Sequence, residues 1–300
     1  MVQFRANGSH PAHAADRLHA PRTKVTCQCI ITVGRRHRLT SAADALAVRH
    51  RGEIDSRMKD YEPIMSFGED VSAMCRDLQR GDEIAAVEFL AQLAEHGPAL
   101  ELAIGTGRIA LPLVARGIRV DGIDISPAMI DQLRAKPGGD KLSVVIGDFA
   151  EVPVSGTYRL IYVVWNTLFN LLTQEEQVKC FMNVAHHLTE DGSFVIEAFV
   201  PAFLYRLRND QYVEAEAIEV NEVRLDVLRH DAGRQMIEES HMSLSPAGIH
   251  LNPVVQRYAW PSELDLMARL AGLRLRNRWG GWSQEPFGSS SNMHISVYGR

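Results

Sequence analysis

Leu100-Glu101-Leu102-Ala103-Ile104-Gly105-Thr106-Gly107-Arg108 marks the decisive change of texture in this sequence. An apolar run of strand length gives way, through two glycines, to helix-type spacing over 108–115. Glycines permit the tight turn and let the backbone lie close to a ligand, while a helix N-terminus offers unpaired N–H groups. Together they place a nucleotide-type site at the carboxyl end of a first strand. The next apolar run ends on Asp124, whose carboxylate can accept hydrogen bonds from both hydroxyls of a ribose. The third closes in Gly147-Asp148-Phe149, where an acid beside an aromatic suits the exocyclic amine and the face of an adenine.

Working outward, strand patterns fall at 99–103, 119–123, 142–146, 159–164 and 193–199, and helical patterns at 108–115, 127–135 and 174–188. Two further helical patterns, 54–67 and 82–95, precede them, the second with Asp82 as its N-cap. Such alternation predicts a parallel sheet with helices on both faces. Residues 220–228, 235–244 and 249–260 read instead with period two. The turn signals Asp231-Ala232-Gly233 and Ser245-Pro246-Ala247-Gly248 join them, so a three-stranded antiparallel cap is expected as an insertion at about 205–260. A last helix from Pro261 to near Gly272, and strands at 273–279 and 293–298, then close the sheet as a terminal hairpin.

Composition bounds the rest. At 300 residues, 46% hydrophobic and 23% charged, the chain suits one globular domain. It contains no apolar run long enough for a membrane span and no secretory leader pattern. The four cysteines are too scattered for a disulfide framework, which makes a reducing cytoplasm the expected compartment. Residues 1–50 carry eight Lys/Arg against Asp16 and Asp44 and show no sustained period. We therefore expect 1–54 to be a basic, disordered extension ahead of a 55–300 domain, with Met58 as an alternative start. Cys27-Gln28-Cys29 lacks a second ligand pair, and no metal is expected. Beyond residue 50, 35 acidic residues outnumber 24 basic ones, a balance that disfavours phosphate backbones and hence nucleic-acid partners.

Gly105-x-Gly107-x-x-Ala110 also satisfies the nicotinamide-dinucleotide fingerprint, so an NAD(P)-dependent oxidoreductase is an alternative, as is a noncatalytic cofactor-binding subunit. Glu101 weighs against a dinucleotide, because a carboxylate four residues before the first glycine would repel a pyrophosphate yet tolerate a sulfonium and an amino group. The Gly-Asp-Phe at the third strand and the antiparallel last strand point the same way. From about Tyr61 onward the chain resembles the class I S-adenosylmethionine-dependent methyltransferases: the segment Glu101 to Gly107, then Asp124, then Asp148 and Phe149 fall on that family's glycine-rich, ribose and adenine motifs. Ala103 departs from the family's usual glycine. The cap and the tail Trp260-Pro261, Ala271-Gly272-Leu273, Gly280-Gly281 and Pro286-Phe287 resemble the antibiotic-pathway members, including those that N-methylate nucleotide-linked amino sugars.

The resemblance implies a Rossmann-like, mostly parallel seven-stranded sheet with helices on both faces, an antiparallel last strand and a small inserted antiparallel element. It implies S-adenosyl-L-methionine as cofactor and a small-molecule, secondary-metabolite acceptor with an N, O or C nucleophile. A monomer or homodimer is expected. Tyr61, Glu101, Ala103, Gly105, Gly107, Arg108, Asp124, Ile125, Met129, Gly147, Asp148, Phe149, Val164 and Trp165 are the expected cofactor residues. Asn166, Phe169, Arg257 and Tyr258 would line the acceptor site. Methyl transfer is an in-line displacement whose acceleration comes largely from alignment and exclusion of water, so no strong catalytic signature is required. Glu197, His241 and Tyr258 are the candidate bases, and Tyr61 is a candidate catalytic residue that the resemblance implies closes over cofactor and acceptor. His186-His187 late in a helix is explained by the macrodipole.

Overall fold

The structure, a computed structural model, describes residues 61–68 and 80–300. The expected N-terminal extension, Met58, Cys27-Gln28-Cys29 and most of the helical pattern at 54–67 lie outside the described residues. Where that pattern is described, Pro63–Phe67 forms a 3₁₀ turn opened by Pro63. A proline fixes φ and removes a donor, which suits a first helical position.

Among the described residues, eleven strands build two sheets. β1 (Ala99–Leu102), β2 (Val120–Asp124), β3 (Ser143–Ile146), β4 (Tyr158–Val163), β5 (Leu188–Phe199), β10 (Arg274–Trp279) and β11 (Met293–Gly299) form a seven-stranded sheet in the order β10-β11-β5-β4-β1-β2-β3. β3, β2, β1, β4 and β5 run parallel, while β11 runs antiparallel to both β5 and β10. The terminal hairpin thus places the last strand inside the sheet, as the resemblance implies. β1 and β2 are buried at every position, the signature of strands covered on both faces.

Alternation along the strands divides the core in two. Leu100, Leu102, Ile161, Val163, Phe194 and Ile196 face α4 (Gln174–His187) and α5 (Pro261–Leu270). Ala99, Leu160, Tyr162, Val195 and Ile295 face α1 (Glu83–Ala94), α2 (Ala110–Ala115) and α3 (Pro127–Arg134). On the first face Phe181 stacks edge-on against Phe194 and Tyr298 at 5.3 and 5.8 Å, a favoured aromatic geometry. Local chemistry fixes the helix starts. Thr173 and Glu176 form a reciprocal capping box on α4, and Ser126 accepts from the Met129 N–H ahead of Pro127 on α3.

The inserted cap has four strands, not three: β6 (Gln211–Ile218), β7 (Val223–Asp231), β8 (Met236–Ser245) and β9 (Gly248–Arg257), all antiparallel in chain order. β6 escaped the sequence reading because Glu214, Ala215, Glu216 and Ala217 are residues depleted in strands, and pairing with β7 overrides that preference. The cap's root is held by Leu228, Ile237 and Tyr258, buried in the core with Phe169, Ala198 and Leu204. β9 is tied to the N-terminal segment by Ser66, whose hydroxyl donates to the Pro253 carbonyl at 2.6 Å. The same segment reaches the sheet through Ser126 Oγ, which donates to the Phe67 carbonyl at 2.6 Å. Residues 61–67 therefore bridge the cap and the carboxyl end of β2.

Candidate active site

The turn after β1 has left-handed backbone at Ala103 (φ 57°), Gly105 (55°) and Gly107 (80°). Gly107 is favoured twice over: an L side chain is strained at its φ, and a Cβ there would push against the Leu133 side chain of α3. A Cβ at Gly105 would meet nothing, so the backbone faces open space where a ligand can approach. Ala103 shows why glycine is common at its position, since an L side chain at this φ is strained, by about 1–2 kcal/mol.

Acids converge on this turn. Asp124, buried at the end of β2, accepts from Gly105 N–H at 2.7 Å through Oδ2 and from Ser126 N–H at 2.8 Å through Oδ1. It locks the glycine turn to the strand that carries it, and burial raises its pKa. Glu101 is buried beneath the same turn, where Tyr162 Oη donates to its Oε2 at 3.0 Å. Desolvation pushes the Glu101 carboxyl up to about 8, against the Tyr162 hydrogen bond and the Arg108 charge, while the negative Asp124 adds to the rise. Tyr162 escaped the sequence reading; its only signal is the register that sets it opposite Glu101. Asp148 Oδ1 accepts from Ala150 N–H at 2.8 Å, which shapes the loop after β3, and Phe149 turns into the core. Gly147 N–H donates to the Asp124 carbonyl at 2.9 Å. Ile125, exposed, and Met129, buried, flank the corner after β2, and Val164 leads β4 into Trp165.

Arg108, directly after the turn, pairs with Glu83 at 3.1 Å and lies over the Trp165 ring, 5.0 Å from its centroid. Against desolvation, the backbone N–H groups of Arg80, Glu83 and Gly81, and less strongly the hydrogen bond from Arg108, draw the Glu83 carboxyl down to about 2. Asn166 is committed to structure, because its Oδ1 accepts from Phe199 N–H at 2.8 Å.

Several expected acceptor and catalytic residues serve the scaffold instead. Phe169 is fully buried and packs edge-on against Phe199 at 5.1 Å, so it supports the wall without lining it. Arg257 donates to Gln177 Oε1 and Glu263 Oε1, both at 2.7 Å, and is thereby tied into the scaffold. Tyr258 is buried with its hydroxyl shared between Tyr205 at 2.9 Å and His230 at 2.8 Å, and its proton is held well above the ordinary tyrosine range by burial. Glu197 is no free base, because its carboxylate takes Arg80 at 2.7 Å and Trp165 N–H at 2.8 Å. The Tyr61 hydroxyl bonds Ser66 Oγ at 2.7 Å, accepts from Val255 N–H at 3.3 Å and is raised by burial; its ring packs on Met236 and Val255.

Arg257→Ala should accordingly destabilise the fold by about 3 kcal/mol, since it strands Glu263 and Gln177 without their partner. Affinity for S-adenosylhomocysteine should hold. Urea unfolding beside calorimetric titration checks this; a stable variant with lost affinity would return Arg257 to the binding site.

His241 stands apart. Its Nδ1 lies 2.6 Å from Asp226 Oδ1, across the β7–β8 pair, and 41% of the side chain is exposed. Asp226, Glu239 and His241 bring three ligand-type atoms within 4.8 Å of one another, a grouping not evident in the sequence. They share the face of the cap whose root, Leu228 and Ile237, is buried in the core.

The cradle fits a cationic cofactor, with backbone-only approach at Gly105, an acid under the turn and another at the end of β2. The comparisons agree. A family profile described as a methyltransferase domain matches residues 99–192. The CcbJ methyltransferase of Streptomyces caelestis is 35% identical, with a TM-score of 0.75 over 80% of this chain and 99% of its own. The cypemycin N-terminal methyltransferase of a Streptomyces species is 26% identical over 219 residues, 71% of this chain and 89% of the relative. An S-adenosylmethionine-dependent methyltransferase from Clostridium acetobutylicum shares the fold at 13% identity, with a TM-score of 0.65 over 75% of this chain and 94% of its own. The cofactor is therefore S-adenosylmethionine and not a nicotinamide dinucleotide, and the chain is an enzyme. Among the described residues no helix is long and apolar enough to cross a membrane. The glycine turn, its two buried acids and the hairpin-closed sheet make this chain a member of the class I S-adenosylmethionine-dependent methyltransferases.

Proposed function

We propose that the enzyme methylates an amine nitrogen of a small secondary-metabolite acceptor, with His241 as the base. The observation that carries this reading is the Asp226–His241 pair on the cap. Bound in the cradle, the cofactor supplies a methyl carbon already activated by its sulfonium. What the chain must add is an aligned, unprotonated nucleophile. An amine arrives largely as an ammonium and has to lose a proton before it can attack. With Nδ1–H donated to Asp226, His241 presents the lone pair of Nε2, and Asp226 and Glu239 stabilise the imidazolium that results. The two carboxylates also suit an approaching cation. The cypemycin enzyme's name specifies an N-terminal acceptor, which supports nitrogen over oxygen or carbon here. A hydroxyl would need a stronger base than an imidazole.

A panel of amino sugars, aminoacyl amides and short peptides, each paired with its hydroxyl analogue, tests the reading with methyl-labelled cofactor. Amines should be labelled and hydroxyl analogues not. For the best amine, His241→Ala should lower kcat by about 10²-fold, the usual worth of a positioned base, with S-adenosylhomocysteine affinity retained. Label in the hydroxyl analogues alone, or undiminished kcat in the variant, would sink it.

A further inference from the structure

The corner at the carboxyl end of β4 is strained and over-determined. Trp165 and Asn166 are consecutive non-glycine residues with φ of 56° and 60°, a conformation that L side chains avoid and that persists only where neighbours impose it. β5 imposes it from three points. Glu197 Oε2 accepts from Trp165 N–H at 2.8 Å, the Glu197 carbonyl accepts from Asn166 N–H at 3.2 Å, and Asn166 Oδ1 accepts from Phe199 N–H at 2.8 Å. So held, the Trp165 ring meets two guanidinium groups, Arg108 at 5.0 Å and Arg80 at 5.2 Å from its centroid. Both cations are fixed in turn, Arg108 by Glu83 and Arg80 by Glu197 and Asp82. Because Arg108 follows Gly107 in the chain, its contact brings the indole to the side of the glycine turn.

We propose that Glu197 is a positioning residue acting through Trp165: it fixes the indole as a side wall of the cofactor's amino-acid end and so sets how long the cofactor stays. The arrangement gives Glu197 two jobs with separable chemistry. One is to accept the Trp165 N–H, which any side-chain carbonyl in that place can do. The other is to pair with Arg80, which Asp82 already shares at 3.2 Å. A wall that must turn aside for the ligand to leave acts chiefly on the dissociation rate. Contact with two cations holds the ring in place against that movement.

A double-mutant cycle on the dissociation rate of S-adenosylhomocysteine, measured by stopped flow on the full chain, tests this without an acceptor. Trp165→Ala and Glu197→Ala should each speed release at least tenfold, and the double variant should be no faster than the faster single one. Glu197→Gln keeps a carbonyl oxygen for the Trp165 N–H and should stay within threefold of the parent. Effects that multiply in the double variant, or a Trp165→Ala that leaves release unchanged, would overturn the proposal. If Glu197→Ala does not fold, Glu197→Gln decides against Trp165→Ala: release within threefold of the parent supports the wall, and release as fast as in Trp165→Ala refutes it.

Discussion

Asp124→Ala should weaken S-adenosylhomocysteine binding by 1–3 kcal/mol, roughly 5- to 150-fold, the range for removing a charged hydrogen-bond acceptor. The expectation rests on two separate roles of one buried carboxylate. We expect it to accept from the ribose hydroxyls at the end of β2, and it already accepts from Gly105 N–H at 2.7 Å and Ser126 N–H at 2.8 Å. Alanine therefore removes the ribose acceptor and also frees the glycine turn from β2, leaving two N–H groups in search of partners. Asp124→Asn separates these effects. Its remaining carbonyl oxygen can still anchor one N–H, so the turn stays better held than in alanine while the charge at the ribose is gone. Calorimetric titration of both variants should give losses in the order alanine greater than asparagine. Unchanged affinity in Asp124→Ala would mean that the ribose lies elsewhere along the carboxyl edge of the sheet.

The sheet was legible because its order depends on features that a one-dimensional pattern carries. β1 and β4 read as largely apolar runs and, with β2, are buried at all but one position, and the turn after β1 announces itself through its glycines. Asp124 followed from being the last residue of its strand. What the pattern cannot carry is who sits opposite whom. Tyr162 lies beside Glu101 only because β1 and β4 are neighbours in the sheet, although 61 residues separate them in sequence. The same limit misassigned Arg257: a long cation near the cap looked like an anion site until α4 and α5 supplied Gln177 and Glu263 as its partners. Glu197 was read as a base for want of Arg80, which lies 117 residues away in sequence. Alternation in β6 was masked by alanine and glutamate, whose local preference runs against strands. Asp226 was likewise invisible as the partner of His241 until the β7–β8 register set them face to face.

Cofactor binding should release close to one proton at neutral pH, and Glu101→Gln should abolish that release. In the free protein desolvation raises the Glu101 carboxyl to about 8, so at pH 7 it is mostly protonated, with Tyr162 as its hydrogen-bond partner. A sulfonium and an ammonium placed over the glycine turn favour the carboxylate, and the proton leaves as they arrive. Affinity for S-adenosylmethionine should consequently rise about tenfold per pH unit up to pH 8 and level off above it. The same linkage acts on folding with a definite sign. The folded-state pKa lies above the ordinary glutamate value of 4.5, so between about pH 4.5 and 8 the folded chain binds more protons than the unfolded one. That contribution makes the unliganded fold less stable as pH rises through the window. Glu101→Gln should flatten this slope, because a glutamine has nothing to ionise, and should weaken the cofactor ten- to a hundredfold at pH 8, where the parent carboxylate is available. Titration in phosphate and in Tris, whose ionisation enthalpies differ widely, reads the proton directly from the difference in apparent heat. The cofactor's own amino group contributes equally to parent and variant and cancels between them. Proton release that persists undiminished in Glu101→Gln would assign the titration to Asp124, the other buried acid at the turn, and would leave Glu101 as a neutral hydrogen-bonded group beneath the cofactor.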